Sequence, residues 1–191
     1  VRFRDFNGRR QAQCEDCGAL ERGRYLWMVL NRLFPDLGGK VIGHFAPERF
    51  LMDRLGLRAD LTYRAFDLHP EHYRHDRVTV RRLDLCSGLA ELEPASFDLL
   101  LHSHVLEHLP CDVATVLRGM ARLLRPGGAM LFSVPIDAEH SREGLDPATT
   151  DEEREMRSRQ GEHLRVFGKQ DFAPWLAQVL GQDCLIRQGE L

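Results

Sequence analysis

The side chains best suited to chemistry in this chain are crowded into one short polar segment, HSHVLEHLP. It contains Ser103, His104, Glu107 and His108. Histidine titrates near neutral pH and can take a proton from a reacting hydroxyl or amine. The alternative, purely structural roles are a hydrogen-bonded loop histidine for His104 and a histidine that packs against a helix for His108. This segment indicates a binding or catalytic centre. The type of chemistry has to be inferred from the predicted strands and helices around it.

The elements around this segment predict where it lies in the fold. Residues 97–101 are a short apolar run typical of a buried strand. Asp112 is expected to cap a helix that Pro126-Gly127-Gly128 ends, and residues 129–134 read as a second strand. A strand, a helix and a strand make a βαβ unit with parallel pairing. Because ligands bind beyond the carboxyl ends of parallel strands, the polar segment is expected at a binding edge.

Earlier segments extend the same pattern. Strands are predicted at residues 40–45, 63–66 and 78–83, with helices at 19–34, 46–55 and 89–92. The basic residues 1–13 are predicted to form an irregular arm. We therefore expect an α/β fold, a doubly wound and mostly parallel sheet with helices on both faces.

The segment after Pro135 changes in character and is predicted to be a lid or insert over residues 135–170, although an inert excursion fits as well. It holds a capping box at 150–153 that opens a charged helix to residue 159, and a loop at 161–168. Asp171 is expected to cap a helix that Gly181 ends, and residues 184–186 are a last strand candidate. The domain prediction is an arm at 1–18 and one domain at 19–191.

Two aspartates end neighbouring predicted strands, Asp67 after the second and Asp84 after the third. A carboxylate can accept two hydrogen bonds from the vicinal hydroxyls of a ribose. Asp84 is suited to an adenine amino group. A strand-end aspartate often caps the next helix instead, so the two acids together carry more weight than either alone.

The cysteines suggest a partial metal site and no disulfide framework. Cys14 and Cys17 stand in a CxxC-G pattern, the knuckle geometry of zinc ribbons, but no second such pair supplies two more ligands. Free surface thiols are the alternative interpretation. Five scattered cysteines favour a reducing setting, so we expect a cytoplasmic protein.

Composition excludes several classes of partner. The net charge is −3 and 43% of the residues are hydrophobic, which is ordinary for a globular protein. Nucleic acid is not indicated by the charge, and no apolar run is long enough to span a membrane. A monomer or homodimer is expected.

Several motifs resemble the class I S-adenosylmethionine-dependent methyltransferases. SFDLLLHSHVLEHLP and LLRPGGAMLFSVP are similar to the fourth-strand and fifth-strand signature of that superfamily, and VIGHFAPE, FDLHP and RRLDL extend the likeness. CEDCGALERGRYLW, HFAPE and GEHLRVFG resemble an uncharacterised bacterial subgroup with an N-terminal CxxC knuckle. In that subgroup a further CxxC often precedes this one, which implies that Cys14 and Cys17 are half of a zinc site.

The resemblance implies S-adenosylmethionine as cofactor, S-adenosylhomocysteine as product and an unknown methyl acceptor. It places cofactor binding at Gly43, His44, Phe45, Ala46, Glu48, Asp67, Leu68, Asp84, Leu85, Ser103, His104 and Val105. His104 and His163 are the candidate catalytic bases, and His108, His140 and Arg165 are the candidate substrate contacts. Arg165 is alternatively a surface arginine.

The chain departs from the superfamily pattern at two points. The first loop usually carries an acid and a glycine triplet, but Gly43 stands alone here before His44. The superfamily also ends its sheet with an antiparallel seventh strand, and the sequence stops near the sixth, so that strand is missing or the sheet is smaller.

Three functions stay open from the sequence. The leading one is a methyltransferase that works mainly by positioning an activated donor. The second is a protein that binds S-adenosylmethionine or S-adenosylhomocysteine as a regulator without turnover. A nicotinamide-dependent oxidoreductase ranks third, because the first loop lacks GxGxxG.

Overall fold

The structure is a computed structural model of the 191-residue chain and describes residues 1–143 and 163–181. The predicted charged helix at 150–159 and the predicted strand at 184–186 lie outside the described residues. The strands are β1 (Phe3–Phe6), β2 (Arg9–Cys14), β3 (Val41–Phe45), β4 (Thr62–Asp67), β5 (Val80–Arg82), β6 (Phe97–Ser103), β7 (Leu124–Ser133), β8 (Ile136–Ala138), β9 (Arg142–Glu143) and β10 (Arg165–Gly168). The α-helices are α1 (Glu21–Leu33), α2 (Arg49–Leu55), α3 (Val113–Leu123) and α4 (Phe172–Leu180).

These elements form two compact units. The first comprises Val1–Asp84, Pro94–Ser103 and Leu124–Ser133, and the second comprises Leu85–Glu93, His104–Leu123 and Val134–Leu191. The first unit contains the central sheet, and the second contains α3, α4 and a small sheet.

The first unit is built on a five-stranded sheet in the order β5-β4-β3-β6-β7, and every pairing in it is parallel. The predicted α/β fold is therefore confirmed. Strand β7 begins at Leu124, earlier than predicted, because Leu124 pairs with Phe97 before the register shifts and Ala129 pairs with Leu99. The inner strands β3 and β6 are largely buried, and Phe97, Leu99, Leu100 and Leu101 of β6 are fully buried.

Apolar side chains of α1 and α2 cover this sheet. Leu30 of α1 and Leu55 of α2 are fully buried against Ile42, Leu99 and Leu101. On α1 the buried residues Leu26, Val29 and Leu30 recur at the spacing of one helical turn, as the sequence predicts. Burying an aliphatic side chain of this size contributes about 1.5–3 kcal/mol, so this layer fixes the strand order around the binding edge.

The amino terminus is a β-hairpin, so the prediction of an irregular arm was wrong. Strands β1 and β2 pair antiparallel, with Phe3 opposite Cys14 and Phe6 opposite Arg9. Asn7 and Gly8 connect them with φ angles of 46° and 74°. Two consecutive left-handed residues form the turn that matches the twist of a two-residue hairpin, and Asn-Gly is the favoured sequence for it.

The second unit contains a three-stranded sheet in the order β8-β10-β9. Residues 165–168 were predicted to be loop, but they form β10, which pairs parallel to β8 and antiparallel to β9. Asp171 precedes α4 without capping it through its side chain, and Gly181 ends that helix with φ 63° as predicted. A disulfide joins Cys86 to Cys111, which the scattered cysteine spacing does not predict.

None of the helices in residues 1–143 and 163–181 has the length and the apolar character that a membrane crossing requires.

Candidate functional site

The first unit has a binding edge where the strand order reverses. Strands β3 and β6 are neighbours, and the chain continues outward to β4 and β5 on one side and to β7 on the other. In open parallel sheets, ligands bind outside the carboxyl ends of the strands at such a switch point. In this unit that edge is formed by Phe45, Asp67, Arg82 and Ser103.

Asp67 is the last residue of β4 and is half-buried. Its Oδ1 accepts a hydrogen bond from the backbone N–H of His69 at 2.7 Å, and its Oδ2 accepts one from the Tyr73 hydroxyl at 2.7 Å. Burial and this hydrogen bond to Asp67 raise the pKa of Tyr73, so the phenol stays a donor. Each carboxylate oxygen retains a second acceptor position, so the arrangement orients Asp67 without saturating it.

The other predicted strand-end residues of the first unit lie along the same edge. The backbone N–H of Leu83 bonds the Asp67 carbonyl at 2.9 Å, which keeps the chain paired beyond β5 until just before Asp84. Ser103 ends β6, and its Oγ lies 2.9 Å from Oγ of Ser133 at the end of β7. Asp84 and Ser103 therefore stand where the sequence predicts them.

The loop after β3 is held in an unusual conformation. Ala46 has a φ of 48°, and its N–H donates to the Phe66 carbonyl at 2.8 Å. A left-handed non-glycine residue is uncommon and is often found at functional sites. Glu48 is held by the Arg22 guanidinium at 2.8 Å, so this predicted cofactor contact is engaged in an ion pair with α1.

Gly43 and His44 lie within β3 and not in the loop. A Cβ on Gly43 would come within 2.7 Å of Leu100 Cδ2 and 2.9 Å of Phe97 Cε1, so a larger residue here would force one of these side chains to shift. His44 is fully buried and its Nδ1 lies 2.8 Å from the Tyr63 hydroxyl. Cofactor binding by these two residues stays a prediction, with Gly43 and His44 placed inside the sheet.

The sheet buries two neutral histidines. Burial lowers the pKa of His44 to about 3, and it lowers the pKa of His102, with a contribution from His44, to about 3. His102 stacks on Phe132 with ring centroids 4.6 Å apart, and neither of its nitrogens has a hydrogen-bond partner within the described residues. These imidazoles are uncharged at neutral pH because the interior does not solvate the imidazolium.

The second unit contains a separate cluster of titratable side chains around Glu107. This carboxylate has no solvent exposure, and neither of its oxygens has a hydrogen-bond partner in residues 1–143 and 163–181. His104, with φ 55°, places its Nδ1 3.0 Å from Oε1 of Glu107, a close charge contact without hydrogen-bond geometry. An ionised carboxylate is costly to bury without hydrogen-bond donors or a paired charge.

His108 and His163 complete this cluster. Their rings meet edge to face with centroids 4.8 Å apart, and one ligand atom from each of Glu107, His108 and His163 lies within 4.8 Å of the others. Burial lowers the pKa of His163 although the nearby Glu107 carboxylate opposes the shift. The structure thus brings together three predicted chemistry-bearing side chains, and Glu107, which the sequence singled out only as part of the segment, lies at their centre.

Arg165 is buried and its side chain is bonded to backbone carbonyl groups. It is 3% exposed and its guanidinium donates to the carbonyls of Leu106, Leu109 and Cys111 at 2.7–3.0 Å. Only Nε is left without a hydrogen-bond partner among the described residues. Burial lowers the pKa of Arg165. The alternative of a surface arginine is wrong, and its role as a substrate contact stays a prediction.

His140 is mostly exposed, with its Nδ1 3.8 Å from Oδ2 of Asp171. Asp171 accepts hydrogen bonds from the backbone N–H and the hydroxyl of the neighbouring Ser141, which is why its carboxylate is not available to cap α4. A cavity of about 190 Å³ lies beside them, and most of its wall area is apolar, with Phe167 and Trp175 in it. Five of its nine lining residues are polar or charged, Arg142 and Glu143 among them. Its walls suit an apolar or aromatic ligand.

Cys14 and Cys17 are free thiols at the end of the hairpin. The turn is formed as predicted, with the Gly18 N–H donating to the Cys14 carbonyl at 2.9 Å and Gly18 at φ 68°. A hydrogen bond from the Cys17 backbone lowers the pKa of Cys14. No third histidine, cysteine or carboxylate in the part of the chain that the structure describes joins these thiols as a metal ligand.

Residues 48–132 match a family model described as a methyltransferase domain. The ubiquinone biosynthesis O-methyltransferase of Methylococcus capsulatus is 35% identical over 82 residues, covering 42% of this chain and 33% of the relative. The protein of the same name from Albidiferax ferrireducens is 31% identical over 113 residues, covering 54% of this chain and 44% of the relative. The chain thus spans less than half the length of these two curated relatives.

Solved structures share the fold. An S-adenosylmethionine-dependent methyltransferase from Archaeoglobus fulgidus superposes with a TM-score of 0.58 at 14% identity, covering 83% of this chain and 68% of that chain. A phosphoethanolamine N-methyltransferase of Haemonchus contortus, solved with S-adenosylhomocysteine, superposes with a TM-score of 0.53 at 20% identity. The match covers 83% of this chain and 37% of that chain. These two structures therefore share the α/β fold of this chain.

Proposed function

We propose that this protein is an S-adenosylmethionine-dependent methyltransferase. The observation that carries the proposal is the match of residues 48–132 to a methyltransferase domain on a sheet whose strand order reverses between β3 and β6. The matched segment begins at Glu48, in the first loop, and ends in β7, so it includes the carboxyl ends of β4, β5 and β6. The subgroup with the CxxC knuckle and the HFAPE loop is part of the same proposal.

The strand-end acids support this cofactor. A carboxylate at the end of β4 is the position that accepts hydrogen bonds from ribose hydroxyls in nucleotide-binding α/β folds. Asp67 is half-buried, oriented by His69 and Tyr73, and keeps free acceptor positions. We assign it to the ribose and Asp84 to the adenine amino group.

The first loop would contact the methionine part of the cofactor through its backbone. The missing glycine triplet is offset in part by the left-handed Ala46, whose small side chain leaves room for close approach. For Leu85, His104 and Val105, which belong to the second unit, cofactor binding stays what the resemblance implies.

S-adenosylmethionine supplies a methyl group already activated on a sulfonium, so the protein contributes mainly alignment and exclusion of water. A base is needed where the acceptor is a hydroxyl or a protonated amine. His163 suits that role, because its lowered pKa keeps it neutral and able to take a proton. His104, beside Glu107, is the second candidate.

The acceptor class most worth testing first is a hydroxyl on an apolar or aromatic compound. Two observations favour it: the curated relatives are O-methyltransferases by name, and the cavity beside Phe167 and Trp175 is largely apolar. We also assign His140 to the substrate contacts, since its Nδ1 lies 3.8 Å from Oδ2 of Asp171, which lines this cavity.

Calorimetry of the full chain with S-adenosylmethionine, S-adenosylhomocysteine and NAD separates the candidate functions. We expect the two sulfur nucleosides to bind and NAD not to bind. Binding without turnover across hydroxyl, amine and thiol acceptors would instead support a regulatory binding protein. Absence of binding to either sulfur nucleoside would overturn the proposal.

A further inference from the structure

We propose that Glu107, His108 and His163 form a binding site for one divalent transition-metal cation of the zinc type. Two imidazoles and one carboxylate are a ligand set that zinc takes in catalytic sites, with the remaining position open to water or substrate. This site is distinct from the thiols of Cys14 and Cys17, which lie in the other unit. The inference does not depend on the proposed methyltransferase activity. With the cation bound, His163 cannot take a proton, and the role of base then falls to His104.

The buried carboxylate points to a cation independently of the ligand spacing. Glu107 has no exposure and both its oxygens lack hydrogen-bond partners within the described residues. Transfer of an ionised carboxylate out of water is strongly unfavourable unless it is paired or coordinates a metal. The half-buried His104 approaches only one oxygen of Glu107. The charge of Arg165 also acts on Glu107, but its Nη1 and Nη2 nitrogens donate to backbone carbonyls.

The three ligands come from two segments that the fold locks together. The N–H of Leu164, next to His163, donates to the Glu107 carbonyl at 2.9 Å. The neighbouring Arg165 binds the carbonyl of Leu106 on the other side of Glu107 at 2.7 Å. The backbone on both sides of the site is therefore fixed, which is the preorganisation that a metal site requires.

The spacing is wider than that of a filled site. The three ligand atoms lie within 4.8 Å of one another. Ligand atoms at about 2.1 Å from a tetrahedral zinc ion stand roughly 3.4 Å apart, so binding requires side-chain rotations that bring the atoms together by up to about 1.4 Å. The rings of His108 and His163, which meet edge to face with centroids 4.8 Å apart, are the groups that would turn.

The test is titration with Zn²⁺ and Co²⁺ in a C14S/C17S background, which removes the free thiols from the measurement. We expect one equivalent to bind, with a cobalt spectrum that lacks thiolate charge-transfer bands. Glu107→Gln and His163→Asn should each weaken binding by at least about tenfold, since loss of an outer partner alone costs 10–100-fold. His140→Asn, an exposed histidine of the same unit, is the matched control and should bind as the background does.

Proton and nitrogen NMR of the histidine rings keeps the proposal falsifiable where a substituted chain does not fold. In the C14S/C17S protein, Zn²⁺ should shift the ring signals of His108 and His163 and leave those of His69 and His72 unchanged. Absence of zinc binding in this background, or equal binding by the Glu107→Gln, His163→Asn and His140→Asn variants, would overturn the proposal.

Discussion

The Tyr73 hydroxyl donates a hydrogen bond to Oδ2 of Asp67 at 2.7 Å, and so ties the acid at the end of β4 to the turn that follows it. The His69 N–H holds the other oxygen of the same carboxylate. Two donors from one short turn fix the plane of the carboxylate before any ligand arrives. A preoriented acceptor loses less conformational entropy on binding, which favours the assignment of Asp67 to a ribose.

Replacing Asp67 with alanine should weaken S-adenosylmethionine binding by roughly 1–3 kcal/mol, because the ribose hydrogen bonds are lost. Calorimetry of the variant beside the parent protein measures the difference. Asp60→Ala is the matched control, since Asp60 precedes the opposite end of β4 and pairs with Arg58. Unchanged affinity in Asp67→Ala would remove this residue from the site.

Tyr73→Phe should keep Asp67 in place through His69 and reduce cofactor affinity less than Asp67→Ala does. It should lower the free energy of unfolding by about 0.5–1.5 kcal/mol, the usual net contribution of one hydrogen bond. Urea unfolding and calorimetry on the same preparation measure both quantities. A larger affinity loss than that of Asp67→Ala would show that the phenol itself contacts the ligand.

His102 should make the protein sensitive to mild acid. Its folded-state pKa is about 3, well below the usual value near 6.5, so the unfolded chain binds the proton first. This contribution to stability is complete above pH 6.5 and is lost as the pH falls from there towards 3. In His102→Leu, the decrease in the free energy of unfolding between pH 6 and pH 5 should be smaller by about 1 kcal/mol.

Urea unfolding at pH 7, 6 and 5 tests this expectation. His72→Leu removes a histidine from an exposed turn instead and serves as the control. A pH dependence that His102→Leu leaves unchanged would contradict the buried neutral form. His44, whose pKa is also about 3, should retain its own share of the effect.

Arg165→Leu should lower the free energy of unfolding by at least about 2 kcal/mol, because the carbonyls of Leu106, Leu109 and Cys111 lose their donors. Arg165→Lys should give an intermediate loss, since an ammonium cannot reproduce the planar fork. Arg142→Leu on the exposed strand β9 is the control. Equal stability of the Arg165→Leu and Arg142→Leu proteins would show that these bonds contribute nothing.

The central sheet was predictable because its inner strands β3 and β6 carry short apolar runs and the segments between strands carry glycine, proline and aspartate. The hairpin at the amino terminus was missed because most side chains of β1 and β2 are exposed, so no apolar alternation marks the strands. Asn7-Gly8 was the available signal, since this pair specifies a tight hairpin turn.

The cluster around Glu107 was only partly predictable. The sequence shows that Glu107 and His108 adjoin a strand end, but the approach of His163 depends on a contact between segments far apart in the chain. The carbonyl contacts of Arg165 span 54 to 59 residues, which no local pattern reports. Burial of two histidines in the sheet is equally a tertiary outcome, since histidine has no strong preference for the interior.

The oxidation state of the cysteine pair Cys86 and Cys111 can be measured on a single tryptic peptide. Residues 86–111 contain no lysine or arginine, so trypsin releases both sulfurs in one fragment from Leu83 to Arg118. The oxidised and reduced fragments differ in mass by two hydrogen atoms, independently of Cys14 and Cys17. Cleavage after Glu91 in the oxidised fragment would leave its two pieces joined until a reductant is added, so peptide mapping can show in which redox environment the protein was made.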